Sequence, residues 1–366
     1  MLLEGLHIPL TTPFHPDGRL NLPKLAANVA RYSKSPAAGL LVLGPAGEPT
    51  LLTDEETYEA LRAAAQAAAP EKVLLAGISR DSVRATLALA ELSDELHYDT
   101  VLVGVPTIFS AETQAAESAA SDQPGADARR ELLVYFQTIA DRSPLPVVLY
   151  SDREPGRRIP IEAAVELAAH PRILGLLDAA ARTAEIESIL RRTAAVKREV
   201  SVTPVFSAVT ARMKAAATQA SASLVSADSL AADRAASANA GAEAPPTPPL
   251  RTRTKTVGFQ VLTGDTHSIL ASLRAGAIGA APGFAACAPQ ACYEILSAWK
   301  DGDQPLAEEK QERLHEAARL AEATPGGLKF ACDLNGTFGG RPRLPLLPST
   351  GDQRATLERL MKQLRN

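Results

Sequence analysis

Short apolar runs alternate along this chain with longer stretches whose apolar residues recur every three or four positions. LHIPLTT is followed by LPKLAANVARYSK, GLLVLGP by DEETYEALRAAAQAAA, KVLLAGIS by SVRATLALAELSDEL, TVLVGVP by ARRELLVYFQTIADR, and PVVLYS by IEAAVELAAH. The short runs predict strands and the longer ones helices, because a strand repeats every two residues and a helix every 3.6. ILGLLD, FQVLTGD and AIGAAPG bring the strand candidates to eight. A helix follows each, so the count predicts a (β/α)8 TIM barrel, with an open dinucleotide-binding sheet the weaker alternative because no GxGxxG follows the first strand. The unit from PVVLYS to ILGLLD is βαβ. Its parallel strands bring Tyr150, Ser151, Leu177 and Asp178 to the same carboxyl edge, where α/β proteins build their sites.

Punctuation refines the plan. Thr53 and Glu56 have capping-box spacing, which starts a helix near Asp54. An amphipathic stretch from Leu306 to Ala323 predicts a helix stopped by Pro325 and Gly326, and ATLERLMKQLRN predicts a closing helix. NGTFGGRPRLPLLPSTG between them reads as a loop packed on the body. Residues 1–305 are thus expected to form the barrel and 306–366 a helical extension on its outside. Two inserts interrupt the repeat. One, at 111–128, follows the fourth strand on the carboxyl-edge face. The other, at 214–250, is Ala, Ser, Asp and Pro with no aromatic between Phe206 and Phe259, and is expected to be disordered or loosely helical. It lies on a helix-to-strand connection, which hangs it from the opposite face. VSVTPVF before it reads as an extra strand outside the repeat.

Composition narrows the function classes. Aromatics are only 4% of residues, so the core is aliphatic. A net charge of -4 and a pI near 5.9 supply no basic field for a polyanion, which argues against nucleic acid as a partner. Three cysteines, Cys287, Cys292 and Cys332, without zinc spacing or a secreted framework point to buried thiols in a reducing, cytoplasmic setting. No run of 18 apolar residues occurs, and MLLEGLHIPLTTPF lacks a basic segment before a long apolar core. Neither membrane spanning nor export is expected.

LTTPFHPDGRLN, GLLVLGPAGEPTLLTDEE, PVVLYS, ILGLLDAA, FQVLTGD and the tail GLKFACDLNGTFGGRPRLPLLP, in that order, resemble the dihydrodipicolinate synthase / N-acetylneuraminate lyase family across nearly the whole chain apart from the inserts. The resemblance implies a class I aldolase barrel, a homo-oligomer without cofactor, in which a lysine ending the sixth strand forms a Schiff base with a 2-oxo acid. Here that position is Leu177, which has no amine to recruit. The family's G-T-T-G-E loop reads Gly44, Pro45, Ala46, Gly47 and Glu48, so both hydroxyls are missing. The amides of Ala46 and Gly47 remain as donors for an anion. The family's T-P-Y-Y reads Val105, Pro106, Thr107 and Ile108, without the second relay tyrosine.

Tyr150 remains, either as a hydrogen-bond or proton donor to a bound oxo acid or as a strand-end tyrosine with its hydroxyl in water. Gly44, Ala46, Gly47 and Arg153 are the substrate-binding candidates, with Arg157 an alternative to Arg153 for holding a carboxylate and a solvated loop charge the reading against either. No lysine is expected at the carboxyl edge: Lys72 precedes its strand, and Lys197, Lys214 and Lys255 lie near the long insert. Glu48, Asp178, Asp265 and His267 could surround a metal, but no H-x-H or H-E-x-x-H spacing supports one, and none is expected. Two functions remain open. The chain binds a small 2-oxo or sugar acid and acts on it without an imine, or it is a non-catalytic ligand-binding or scaffolding homologue.

Overall fold

The computed structural model describes residues 1–109, 124–180, 182–223 and 250–364. Eight parallel strands close into a barrel: β1 (Gly5–Pro9), β2 (Gly39–Val42), β3 (Val73–Gly77), β4 (Thr100–Gly104), β5 (Val147–Ser151), β6 (Ile173–Asp178), β9 (Gln260–Thr263) and β10 (Gly279–Ala280), with β10 returning to pair with β1. Each lies where an apolar run predicts it. Outside them stand α1 (Leu22–Ser33), α2 (Asp54–Ala67), α3 (Val83–Glu95), α4 (Pro124–Arg142), α5 (Ile161–Ala168) and α6 (Thr183–Arg192). Thr53 and Glu56 form the reciprocal cap that starts α2. The extra strand expected before the second insert is β7 (Arg198–Val202), which begins two residues before VSVTPVF and pairs antiparallel with β8 (Arg253–Val257) in a separate ribbon.

The inserts are partly described. Residues 124–128 of the first belong to α4, and 110–123 lie outside the described residues. Residues 214–223 of the second belong to α7 (Ala211–Ser223), and 224–249 lie outside the described residues. The amide of Ala211 donates to Asp99 Oδ1 at 2.6 Å, and Arg212 donates to the carbonyls of Ala69 and Lys72. These partners sit just before β3 and β4, so α7 is tied to the amino edge of the barrel.

After α8 (Ile269–Arg274) and α9 (Pro289–Lys300), the chain adds α10 (Gln304–Glu322), α11 (Pro325–Leu334) and α12 (Gly351–Met361). The helix predicted to stop at Pro325 and Gly326 ends at Glu322, and Pro325 also starts the next one. It opens α11 under a Thr324 cap, because a residue without an N–H leaves no orphan donor in a first turn. The loop after α11 is clamped by Arg343, whose guanidinium donates to both oxygens of Glu56 and to the carbonyls of Gly18 and Leu51, and stacks 4.5 Å from the Phe14 ring.

The barrel interior is a separate apolar cluster containing Leu3, Leu41, Leu75, Leu102, Val148, Tyr150, Leu174, Leu177 and Leu262. Both Leu174 and Leu177 reach it because β6 carries an extra residue: Val147 pairs with Ile173 but Val148 with Gly175. Low in the interior, His7 is fully buried, its Nε2 2.8 Å from the Leu3 carbonyl and its Nδ1 against Gly39, where an added Cβ would stand 2.4 Å away. Burial pushes its pKa down to about 4, so the ring is neutral.

Candidate functional site

The carboxyl edge is shaped by a tight loop after β2. Leu43 takes a left-handed backbone (φ 55), which carries its carbonyl over Gly77 so closely that a Cβ there would come 2.1 Å from it. Pro45–Gly47 then form a single turn, and Glu48 is again left-handed at φ 53. Two non-glycine residues of this kind, five positions apart after one strand end, mark a constrained loop. The Gly47 amide closes the turn on the Gly44 carbonyl at 2.8 Å, so it is not free for an anion. Of the two predicted backbone donors only the Ala46 amide lacks a backbone partner among the described residues, and Ala46 lines a cavity.

Glu48 is engaged by the C-terminal segment. Its Oε2 accepts from the Arg343 amide at 3.1 Å, and its Oε1 stands 2.6 Å from Lys329 Nζ. Lys329 donates to the Arg341 carbonyl and lies 4.3 Å from the Phe14 ring centre, with its side chain 1% exposed. Burial lowers its pKa while Glu48 opposes that shift. The expectation that no lysine stands at this edge is therefore corrected. Lys329 arrives from α11, outside the repeat, and is locked in an ion pair behind the Gly44–Glu48 loop.

Two cavities open at the edge. One, of about 300 Å³, has Leu177 and Leu41 among its walls, with Ala46, Tyr150, Arg153 and Glu322 also on it. The other, of about 510 Å³, is lined by Gly44, Arg80, Asp81, Tyr150, Asp152 and Arg157 among others. Tyr150 belongs to both. It is 9% exposed; burial first, then the nearby Asp152 carboxylate, raises its phenol above its ordinary pKa. The phenol is a donor at all physiological pH values.

The remaining candidates separate. Arg153 reaches the first cavity and donates through Nη2 to Asp265 Oδ1 at 3.1 Å; Arg157 is 3.8 Å from Asp152. Asp178 folds back onto the Ala180 amide at 3.1 Å, and burial raises its pKa; it lines neither cavity. Asp265 also accepts from Ser268 Oγ, while His267 stacks 5.1 Å from His315, its pKa lowered by burial. Thr107 is held by Asp81, and Ile108 is 62% exposed. Among the described residues no group of three or more His, Cys, Asp or Glu is placed to hold a metal ion.

Sequence reasoning passed over Glu322. It closes α10, with Oε1 accepting from Thr266 Oγ1 at 2.6 Å and the Phe284 amide at 2.7 Å, and burial raises its pKa. One signal was available: a carboxylate at the last residue of a helix faces the negative end of the helix dipole and needs a local reason.

A profile of the Dihydrodipicolinate synthetase family fits residues 2–119 and 250–364. The chain is 26% identical over 369 aligned positions to a 4-hydroxy-tetrahydrodipicolinate synthase of Acidiphilium cryptum, covering 99% of each, and 25% identical to an L-threo-3-deoxy-hexylosonate aldolase of Hypocrea jecorina, covering 93% of this chain and 90% of the relative. Its fold superposes with a TM-score of 0.71 on a prophage protein of the dihydrodipicolinic acid synthase family from E. coli K12 in complex with pyruvate, at 22% identity over 100% of this chain and 99% of the other. A dihydrodipicolinate synthase from Bacillus anthracis gives a TM-score of 0.73 at 20% identity with both chains fully covered. With that profile matching more than half of its length, the chain belongs to the dihydrodipicolinate synthetase family.

Proposed function

We propose that this chain is a lyase-class homologue that binds a small 2-oxo acid or sugar acid in the cavity beside Leu177 and acts on it without an imine. The reading rests on one observation: a hydrocarbon, Leu177, and a neutral phenol, Tyr150, share that cavity with Arg153 and Ala46. Without an amine at the cavity wall no covalent anchor forms, and the ligand is held by hydrogen bonds alone. Arg153 and the Ala46 amide offer donors to a carboxylate. Tyr150 donates to a carbonyl oxygen, where it stabilises negative charge that develops there. Two relatives are enzymes by name, a synthase and an aldolase, which supports carbon–carbon bond chemistry.

A second reading, a non-catalytic ligand-binding or scaffolding barrel, is favoured by the apolar lining of Leu41, Leu177, Ala179 and Ala281. Incubation with pyruvate and borohydride followed by intact-mass measurement tests the absence of an imine: the mass is expected to stay unchanged, and a stoichiometric gain on any lysine peptide refutes it. A screen of 2-oxo and sugar acids, with and without divalent metals, separates the two readings, because turnover of none with binding of some leaves only the second. We also read the chain as a cytoplasmic homo-oligomer. Its three cysteines are free and buried, and Leu344 and Leu347 are 77% and 69% exposed. Light scattering that reports a monomer at micromolar concentration overturns the assembly. No helix among the described residues is long and apolar enough to cross a membrane.

A further inference from the structure

The cavity beside Leu177 is charged at its lip and hydrocarbon within. Arg153 is the one cationic side chain among the described residues that line it, and at 58% exposure it stands at the mouth. Its Nη2 is held by Asp265, while its other guanidinium nitrogens make no hydrogen bond to the described residues. Leu41, Leu177, Ala179 and Ala281 also line the cavity, and all four belong to the apolar cluster inside the barrel. Their main chain adds no free donor. The amides of Ala179 and Ala281 are spent on the Ser151 and Thr263 carbonyls at 2.9 and 2.7 Å, and Leu41 and Leu177 sit within strands paired on both sides.

That division sets the chemistry of the occupant. A carboxylate carried to the hydrocarbon end gives up water and gains no partner, so it stays with the guanidinium, whose free edge takes it as a charge-assisted pair. The hydroxyls of a sugar acid would lie along the same hydrocarbon, each losing about fivefold or more in affinity for want of a partner. Methylenes gain there, by about fourfold each. A volume of about 300 Å³ also has room for more than a three-carbon acid. We propose that the site selects an amphipathic acid, a 2-oxo acid with an apolar carbon chain, whose carboxylate pairs with Arg153 at the lip and whose chain lies against Leu41, Leu177, Ala179 and Ala281. The 2-oxo group is then left between the two ends, beside Tyr150, the register partner of Leu177. The assignment rests on the acid-binding reading above and narrows its substrate class.

Calorimetry on the full chain with pyruvate, 2-oxobutanoate, 2-oxopentanoate and 2-oxohexanoate reads the hydrocarbon end, and 2-oxogluconate is the hydroxylated counterpart of the last. The wild type is expected to gain about fourfold in affinity per methylene and to hold 2-oxohexanoate at least about tenfold tighter than 2-oxogluconate. Arg153→Gln should weaken the whole series by about tenfold or more and keep the step per methylene, whereas Leu177→Asn should flatten that step. Affinities that stay level along the series, or a preference for 2-oxogluconate, overturn the proposal from the wild type alone, so a Leu177→Asn chain that fails to fold does not shelter it. A steep series that a folded Leu177→Asn or Arg153→Gln protein retains unchanged overturns it as well, because the ligand then lies elsewhere. If no acid binds the wild type, the acid-binding reading itself has failed.

Discussion

The neutral imidazole inside the barrel makes a quantitative claim about acid stability. His7 has no room to be solvated, and its folded pKa lies near 4 against 6.5 for the exposed group. Between those values the unfolded chain binds a proton that the folded chain refuses, so the contribution is fully present above pH 6.5 and declines as pH falls toward 4. At about 1.36 kcal/mol per pH unit, that gap amounts to about 3 kcal/mol at pH 4. The total profile mixes in other groups of opposite sign. Asp99, Asp178, Glu322 and Asp333 have pKa values raised by burial, so they recover stability as the solution is acidified. The His7 share is therefore read as a difference. His7→Gln keeps an amide donor for the Leu3 carbonyl and removes the titration. Unfolding free energies from urea titrations of both proteins, measured at half-unit steps from pH 7 to pH 4, should show the wild-type value falling relative to the variant by about 3 kcal/mol. Parallel profiles across that interval would mean that the ring is solvated or paired in the folded state, and the account of the barrel interior would be wrong.

Lys329→Met strands the Glu48 carboxylate in a site where both side chains are almost fully covered, and should cost about 3–5 kcal/mol in urea unfolding; pairing it with Glu48→Gln should return much of that, and a single-variant cost below about 1 kcal/mol removes the buried pair from the stability account. Thr53→Ala takes away one half of the reciprocal cap on α2 and should cost about 1 kcal/mol, read as a lowered melting temperature; an unchanged melt contradicts it. Leu177→Lys places an amine beside Tyr150 and should allow borohydride trapping of pyruvate while giving little aldol turnover, since Pro45, Ala46 and Ile108 supply no relay hydroxyl and such proton transfers are worth roughly 10²–10⁴ in rate. Brisk turnover by that variant would show that the relay groups are dispensable here.

How much of this could be read from residues alone depended on the range of the interaction. Strand runs such as KVLLAGIS and the Thr53–Glu56 cap are local, and local chemistry wrote them into the chain. The register slip in β6 is not local: ILGLLD looks regular, and only its pairing with β5 makes Leu174 and Leu177 both face inward. The stop at Pro325 was legible, but the new helix that Pro325 opens was not, because its start lies in the Thr324 cap. Lys329 and Glu322 were invisible for a third reason. Their partners, Glu48, Thr266 and Phe284, come from other turns of the barrel, and no spacing rule reaches across a closed sheet.

The ribbon of β7 and β8 gives the protein a socket. The chain departs along Arg198–Val202 and returns along Arg253–Val257, in a register that sets Val202 opposite Arg253, so departure and return are neighbouring strands about 5 Å apart. The pairing fixes the spacing of the doorway whatever the length of the excursion between the two strands. Doubling the length of such an excursion adds only about 0.6 kcal/mol of closure cost. An excursion between β7 and β8 thus leaves and returns beside the amino edge, where Arg198 donates to the Ala168 and His170 carbonyls just before β6.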